Sequence, residues 1–257
     1  MTLKQGIERQ VKDGAVIIQK DRGETPLESL SRYRLLHPEL AKDKMTYVGR
    51  LDPLAHGELL VLIGEECKKR QEYLGLDKVY KVKLLLGVQT DTFDYLGLIE
   101  KSSLIKVVDI EEVFENNLNN LVGKWLQKYP WFSSRTVQGK SLFDWYKSGR
   151  RSEIERPSRE VEIIKMEILN WSEKKSTEIY QEVVGVINKV SGDFRQKETL
   201  KLWQEWFEQN QNISLPIIEI RVHCSTGSYM RGIAEKLSED LDLPILAWEI
   251  EREKIVI

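Results

Sequence analysis

The chain has 257 residues, 41% of them hydrophobic and 31% charged, enough for one large domain or two small ones around a substantial core. Thirty-nine Lys and Arg stand against 41 Asp and Glu, a formal charge of −2, which lacks the basic excess usual in nucleic-acid-binding domains. The longest apolar run, Leu59 to Ile63, is far short of the ~18 residues of a membrane span. Met1 to Gln10 has no apolar leader core, and two cysteines (Cys67, Cys224) with three scattered histidines (His37, His56, His223) give no disulfide framework or metal-ligand spacing. The expectation is a cytoplasmic, metal-free chain with no cofactor, and a monomer.

Gly14 to Lys20 reads as a short buried strand closed by Asp21, Arg22 and Gly23. Pro26 opens a helix carrying Leu27, Leu30, Tyr33 and Arg34. A loop punctuated by Gly and Pro follows from Val48 to Gly57, and the apolar run to Ile63 is a core strand ending at Gly64. From Val79 to Leu86, apolar and cationic residues alternate, which predicts a half-buried strand with a cationic face. Ile110 to Leu121 has helical spacing through Val113, Leu118 and Leu121, with Gly123 as its stop. Leu142 to Tyr146 begins another helix, ended by Gly149. Val161 to Leu169 and Ile217 to Cys224 are strands. Between them, residues 172–213 are rich in Lys, Glu and Gln with two apolar stripes, one of Val183, Val184, Ile187 and Val190, the other of Leu202, Trp203, Trp206 and Phe207. This predicts a helical insertion between neighbouring strands. The fold class is α+β, or α/β with a mixed sheet.

Charge is uneven along the chain. Arg135 to Arg159 holds seven cations against three acids, and Lys68 to Arg70 and Lys78, Lys81 and Lys83 form two further basic stretches. The richest segment chemically is Gly49-Arg50-Leu51-Asp52-Pro53-Leu54-Ala55-His56-Gly57. A carboxylate beside Pro and between two glycines sits on a tight, rigid loop that a ligand can approach. Cys224 to Gly232 leaves a strand, turns at Gly227 and starts a helix. Its Arg231 lies in the first turn, where the helix dipole disfavours a cation, and a carboxylate partner explains it better, with Asp52 as the candidate.

The Gly49 to Gly57 loop, followed by Gly64-Glu65-Glu66-Cys67-Lys68, resembles the catalytic signature of the TruB family of tRNA pseudouridine synthases. Lys78-Val79-Tyr80 with Leu86 to Gly97 is similar to the family's second motif. Val137 to Phe143 and Cys224 to Arg231 continue in the same order, and Lys20 to Thr25 resembles the opening motif, with Asp21 where the family usually has Pro. Five motifs cover most of residues 14–240.

The resemblance implies a pseudouridine-synthase-like α+β fold with a mixed, largely antiparallel sheet, flanking helices and a catalytic cleft. It implies one catalytic domain over residues 1–257, carrying the 172–213 insertion and leaving no room for the C-terminal RNA-binding PUA domain of many relatives. The implied activity is conversion of uridine to pseudouridine in the T-loop of tRNA (position 55 in tRNA numbering), with the tRNA T-arm as partner and no metal. Asp52 takes the place of the essential acid acting on the ribose of a flipped-out uridine, by attack at C1′ or by removal of the C2′ proton. Tyr80 is the aromatic platform under the uracil, Arg231 the partner of Asp52, and Tyr229 a neighbour of the nucleotide. Gly49, Leu51 and Pro53 shape the loop. Lys68, Lys140, Arg150 and Arg151 are candidate RNA contacts, and Tyr47 stands where bacterial relatives commonly have His. An RNA-folding chaperone without catalysis would have lost Asp52, Tyr80 and Arg231, and a guide-RNA-dependent relative would need the further domain. A glycoside hydrolase would want a second carboxylate, which the sequence does not offer.

Overall fold

The computed structural model describes residues 8–105 and 110–257; Met1 to Ile7, part of the segment read for a leader, lie outside the described residues. In chain order, β1 (Arg9–Lys12) and β2 (Ala15–Lys20) form a hairpin, followed by α1 (Pro26–Leu36), β3 (Met45–Val48) and β4 (His56–Ile63). Then come β5 (Lys78–Leu86), the short pair β6 (Val88–Thr90) and β7 (Ile99–Ser102), α2 (Glu111–Asn119) and β8 (Gly123–Lys128). A small hairpin of β9 (Thr136–Val137) and β10 (Lys140–Ser141) leads into α3 (Leu142–Lys147). The long β11 (Ser158–Lys175) is joined through α4 (Ser176–Ile187) and α5 (Gln196–Gln209) to β12 (Ser214–Cys224), and α6 (Met230–Leu241) and β13 (Ile245–Ile255) complete the described chain.

Local chemistry sets several boundaries. Thr25 caps α1 by accepting the Glu28 N–H at 3.2 Å while the Glu28 carboxylate takes the Thr25 N–H at 2.6 Å, a reciprocal capping box behind Pro26 at the first helical position. Gly57 has φ +106°, and a Cβ there would overlap the Arg252 backbone, so β4 and β13 approach this closely only across a glycine.

Nine strands form one sheet in the order β1-β2-β4-β13-β5-β12-β11-β8, with β3 also paired to β4. Every pairing is antiparallel except β4 with β13. One face of the larger half packs on α2 and α6 through Val82, Leu84, Ile220, Phe114, Ile233 and Leu237. On the other face, α4 and α5 cover one end, where Ile179, Val183, Trp203 and Trp206 join Leu85, Ile217 and Trp248. The rest of that face is a cross-strand charge ladder: Lys83 to Glu249 at 2.6 Å, Lys81 to Glu251 at 2.8 Å, Arg221 to Glu253 at 2.8 Å. The β1-β2-β4 half is packed on both sides, by α1 on one and by the 3-10 segment Gly64–Tyr73 on the other.

Some expectations shift. The 78–83 stretch is not one basic patch: strand alternation buries Lys78 and aims Lys81 and Lys83 the opposite way, onto glutamates. In α2, Leu118 is buried as expected and Leu121 beyond it as well, but the first inward residue is Phe114, while Val113 is 53% exposed. Gly123, read as a helix stop, opens β8. Residues 172–175 continue β11, so the helical part begins at Ser176.

Trp203 is fully buried and donates its indole N–H to the Tyr95 carbonyl at 3.1 Å. Trp203→Ala is expected to lower stability by about 3–5 kcal/mol through the cavity it leaves. Urea unfolding measures this, and a loss below about 1 kcal/mol would mean that α5 is not seated on the sheet.

Candidate active site

Four structural elements converge on a cleft of about 810 Å³. The loop between β3 and β4 brings Asp52, β5 brings Tyr80, the first turn of α6 brings Arg231, and β13 brings Arg252. Arg231 is 4% exposed and pairs with Asp52, whose side chain is 38% exposed toward the cleft, with both Nε and Nη2 at 2.8 Å from the same carboxylate oxygen. The guanidinium also donates to the Thr92 carbonyl and to the Phe132 carbonyl, each at 3.2 Å. A second carboxylate, Asp94, lies 3.5 Å from its Nε. Burial works against the Arg231 charge, and Asp52 and Asp94 more than offset it.

Asp94 is the acid the sequence did not reveal. It is 4% exposed, and burial pushes its carboxyl up to about 6 despite the pull of Arg231. Its surroundings account for the residue types of the 90–97 turn. Thr92 donates to the Asp94 carboxylate at 2.7 Å, as does the Leu96 N–H at 2.9 Å, and Asp91 accepts the Leu98 N–H at 2.9 Å. A Cβ on Gly97 would overlap Thr92 and Asp91. The turn is tied to the sheet by the Ala247 N–H on the Phe93 carbonyl at 2.9 Å. Because Asp94 is enclosed and Asp52 is half-open, the two do not form the pair of accessible carboxylates of a glycoside hydrolase.

The Asp52 loop is held from three sides. Lys20, 1% exposed, donates to the Ala55 carbonyl and to that of Pro53 at 3.4 Å, and burial lowers its ammonium to about 8. The Gly23 N–H reaches the Pro53 carbonyl at 2.8 Å. Arg252, also 1% exposed, donates to the Glu58 carbonyl at 2.6 Å and the Gly49 carbonyl at 3.4 Å. Leu51 and Ala55 are buried against the sheet beside Tyr80, whose phenol is pushed up by burial while Arg252 pulls it the other way. Tyr80 is opposite Arg252 in the β5–β13 register.

Tyr47, Gly49, Leu51, Pro53 and Tyr229 line this cleft with Asp52, Tyr80 and Arg231. Four other sequence candidates lie outside it. Lys68 is exposed and paired with Glu65, and Arg150 is paired with Glu153 at 2.7 Å. Lys140 and Arg150 flank Trp145 at 5.2 and 5.3 Å, and Arg151 sits over Tyr146 at 4.9 Å. They form a surface of cations on aromatic rings. Sequence reasoning missed Lys20 and Arg252 as site residues, and Arg159, counted within the Arg135 to Arg159 basic stretch without being singled out, reaches the cleft. Its guanidinium occupies the space where a Cβ on Gly227 would sit. Among the described residues, no three His, Cys, Asp or Glu side chains converge as a metal-binding group, and no helix is long and apolar enough to cross a membrane.

A family model described as TruB family pseudouridylate synthase (N terminal domain) matches residues 37–185. The chain is 26% identical over 211 residues to a tRNA pseudouridine synthase B of Clostridium tetani, covering 82% of this chain and 57% of that protein. It is 26% identical over 243 residues to a tRNA pseudouridine synthase B of Endomicrobium trichonymphae, covering 95% of this chain and 85% of that one. It thus spans little more than half the length of the first relative. Among solved structures, a Cbf5-Nop10-Gar1 complex superposes with a TM-score of 0.55 at 15% identity, over 93% of this chain and 48% of its counterpart. That likeness shows the fold.

The Asp94 carboxyl carries a pH signature. Its folded value of about 6 stands above its ordinary 3.8, so the folded chain holds a proton that the unfolded chain releases. The stability this contributes is complete below 3.8 and is lost as pH rises through 6. Asp94→Asn abolishes this loss, so the variant is expected to gain stability relative to the parent between pH 4 and pH 7. Denaturant titrations at the two ends of this range measure the difference, and an equal offset at both would contradict the raised value.

Proposed function

The chain belongs to the TruB family of pseudouridylate synthases, and we propose that it isomerises uridine to pseudouridine in the T-loop of tRNA. The observation that carries this reading is the half-open Asp52 carboxylate, fixed by a buried guanidinium at the base of a cleft with Tyr47, Tyr80 and Tyr229 in its lining.

A stacked uridine is out of reach of such a carboxylate, so the nucleotide has to be everted into the cleft. The few kcal/mol this costs are recovered from enclosed stacking contacts. Tyr80 supplies the floor against which the uracil rests. Asp52 acts on the ribose, with attack at C1′ and removal of the C2′ proton both compatible with its exposure. The bond between N1 and C1′ breaks, the uracil turns within the cleft, and C5 bonds to C1′. N1 gains a proton, C5 loses one, and composition is unchanged. Arg231 keeps Asp52 aimed, a preorganised charge rather than one recruited during reaction. The walls exclude water, which would otherwise capture the opened sugar.

Along the rim of the cleft and beyond it, the cation-bearing aromatic surface of residues 129–156 suits RNA. Arg135 lies over Tyr129 at 5.2 Å, Arg156 over Trp131 at 5.6 Å, and Lys147 over Phe143 at 4.6 Å. Cations contact phosphates and the accessible faces of half-buried rings such as Tyr129 and Trp131 can stack unpaired bases, the pattern by which folded RNA loops are recognised. Lys140, Arg150 and Arg151 belong to this surface. Many other cations are neutralised within the chain, so salt is expected to weaken RNA binding with a modest slope.

The test is incubation with an unmodified tRNA transcript and chemical mapping of pseudouridine at single-nucleotide resolution. One modified uridine in the T-loop is expected. Asp52→Ala should reduce formation at least about a thousandfold while tRNA affinity stays within about threefold, since the carboxylate reacts rather than anchors. Retained turnover in that variant would refute the role of Asp52, and an inactive parent would refute the proposed function.

A further inference from the structure

The α4–α5 insertion reaches the cleft through its connecting loop. Asp193, Phe194 and Arg195 line the cleft with the groups described above. Arg195 has φ +57°, a left-handed conformation uncommon outside glycine. It directs a two-pronged guanidinium onto Asp91, at 2.7 and 3.0 Å. The two side chains are 14% and 3% exposed, and the guanidinium carbon lies 4.4 Å from the centre of the Phe132 ring.

These partners are the neighbours of Arg231. Its backbone anchors are the carbonyls of Thr92, next to Asp91, and of Phe132 itself. Arg195 therefore grips both segments that hold Arg231 against Asp52. The loop is secured on its other sides as well, by Lys147 on Asp193 at 2.7 Å and by the Ser191 hydroxyl on Glu28 at 2.6 Å. Behind it, Thr199 donates to the Leu96 carbonyl at 3.3 Å and Trp203 to that of Tyr95 at 3.1 Å. Leu54 of the Asp52 loop belongs to the same apolar cluster as Trp203.

We propose that the insertion is part of the catalytic apparatus and that Arg195 is its positioning residue, clamping the Asp91 turn and Phe132 so that Arg231 holds Asp52 in its working orientation. This rests on the function proposed above. A simple staple for the insertion would need none of the contacts to Phe132. A positioning clamp needs both prongs on Asp91 and the guanidinium over the Phe132 ring, and lysine cannot reproduce this pair of contacts.

The test compares the parent with Arg195→Ala and Arg195→Lys in single-turnover pseudouridine formation at saturating enzyme, alongside tRNA affinity and thermal melting. Arg195→Ala is expected to slow the reaction about a hundredfold, the scale of a displacement near 1 Å at a reacting group, with affinity within about threefold. Arg195→Lys keeps a charge opposite Asp91 and is expected to melt close to the parent, yet to remain at least about tenfold slow. A rate within threefold of the parent in the folded lysine variant would overturn the proposal, as would affinity falling in step with rate. The lysine variant decides the matter if the alanine variant does not fold. An activity-independent measurement separates this from the broader function. The Arg231 Nε–H should be protected from exchange in NMR spectra of the parent and lose protection in the lysine variant. Retained protection overturns the positioning role even if the parent forms no pseudouridine, a result that would count against the function instead.

Discussion

A guanidinium buried at the base of a cleft imposes its requirements on everything near it. Arg231 cannot shed its proton to escape a low-dielectric site, and leaving such a charge unpaired costs several kcal/mol. The chain meets this demand with two carboxylates and two carbonyls drawn from three separate segments: the Asp52 loop, the turn carrying Thr92 and Asp94, and the Phe132 segment. The carboxylates divide the work by exposure. Asp94 is enclosed and helps balance the charge, while Asp52 balances it from one side and faces the cleft from the other. A half-open carboxylate with a fixed direction follows from the electrostatic needs of its partner.

The same logic extends to the backbone of the loop. Its carbonyls would be free to move if water alone satisfied them, but Lys20 and Arg252 are buried beside them and donate to three, those of Gly49, Pro53 and Ala55. Both cations have their charge partly met by carbonyl dipoles, an arrangement that exchanges stability for a rigid loop. The sheet tolerates this because its apolar burial is unevenly placed. α2 and α6 seal one face, the two insertion helices seal an end of the other, and the remaining surface is a ladder of opposite charges that keeps its stems buried and its heads in water.

The sequence revealed the parts of this arrangement that obey simple periods. β2, α1, β4, β5, β11 and β12 stand out because apolar runs or alternation meet Gly or Pro at their ends. Arg231 was paired with Asp52 because a cation at a helix N-terminus calls for an explanation. β13 was missed, for a physical reason: Ile250 and Arg252 are buried while Glu249, Glu251 and Glu253 face the charge ladder, and a register shift beside Trp248 breaks the alternation. With an arginine at an inward position and acids between, the run looks like a solvated, charged tail. Asp94 was hidden among short polar residues whose purpose is apparent only once the turn closes on itself. Lys68 and Arg150 lie outside the cleft, each paired with an acid three residues away, a placement that depends on the fold and not on local sequence.

The position of β13 has a consequence for how the molecule is made. Residues 245–255 are inserted between β4 and β5, whose pairing partners are otherwise on opposite sides of the sheet. During synthesis, the two halves emerge early but have no seam to join them until almost the last described strand leaves the ribosome. Such long-range closure makes assembly slow relative to a helical chain of similar size, and it also makes the reactive centre an all-or-none product. A nascent chain stalled before residue 245 would carry Asp52 and Arg231 without the strand that sets them in a common frame.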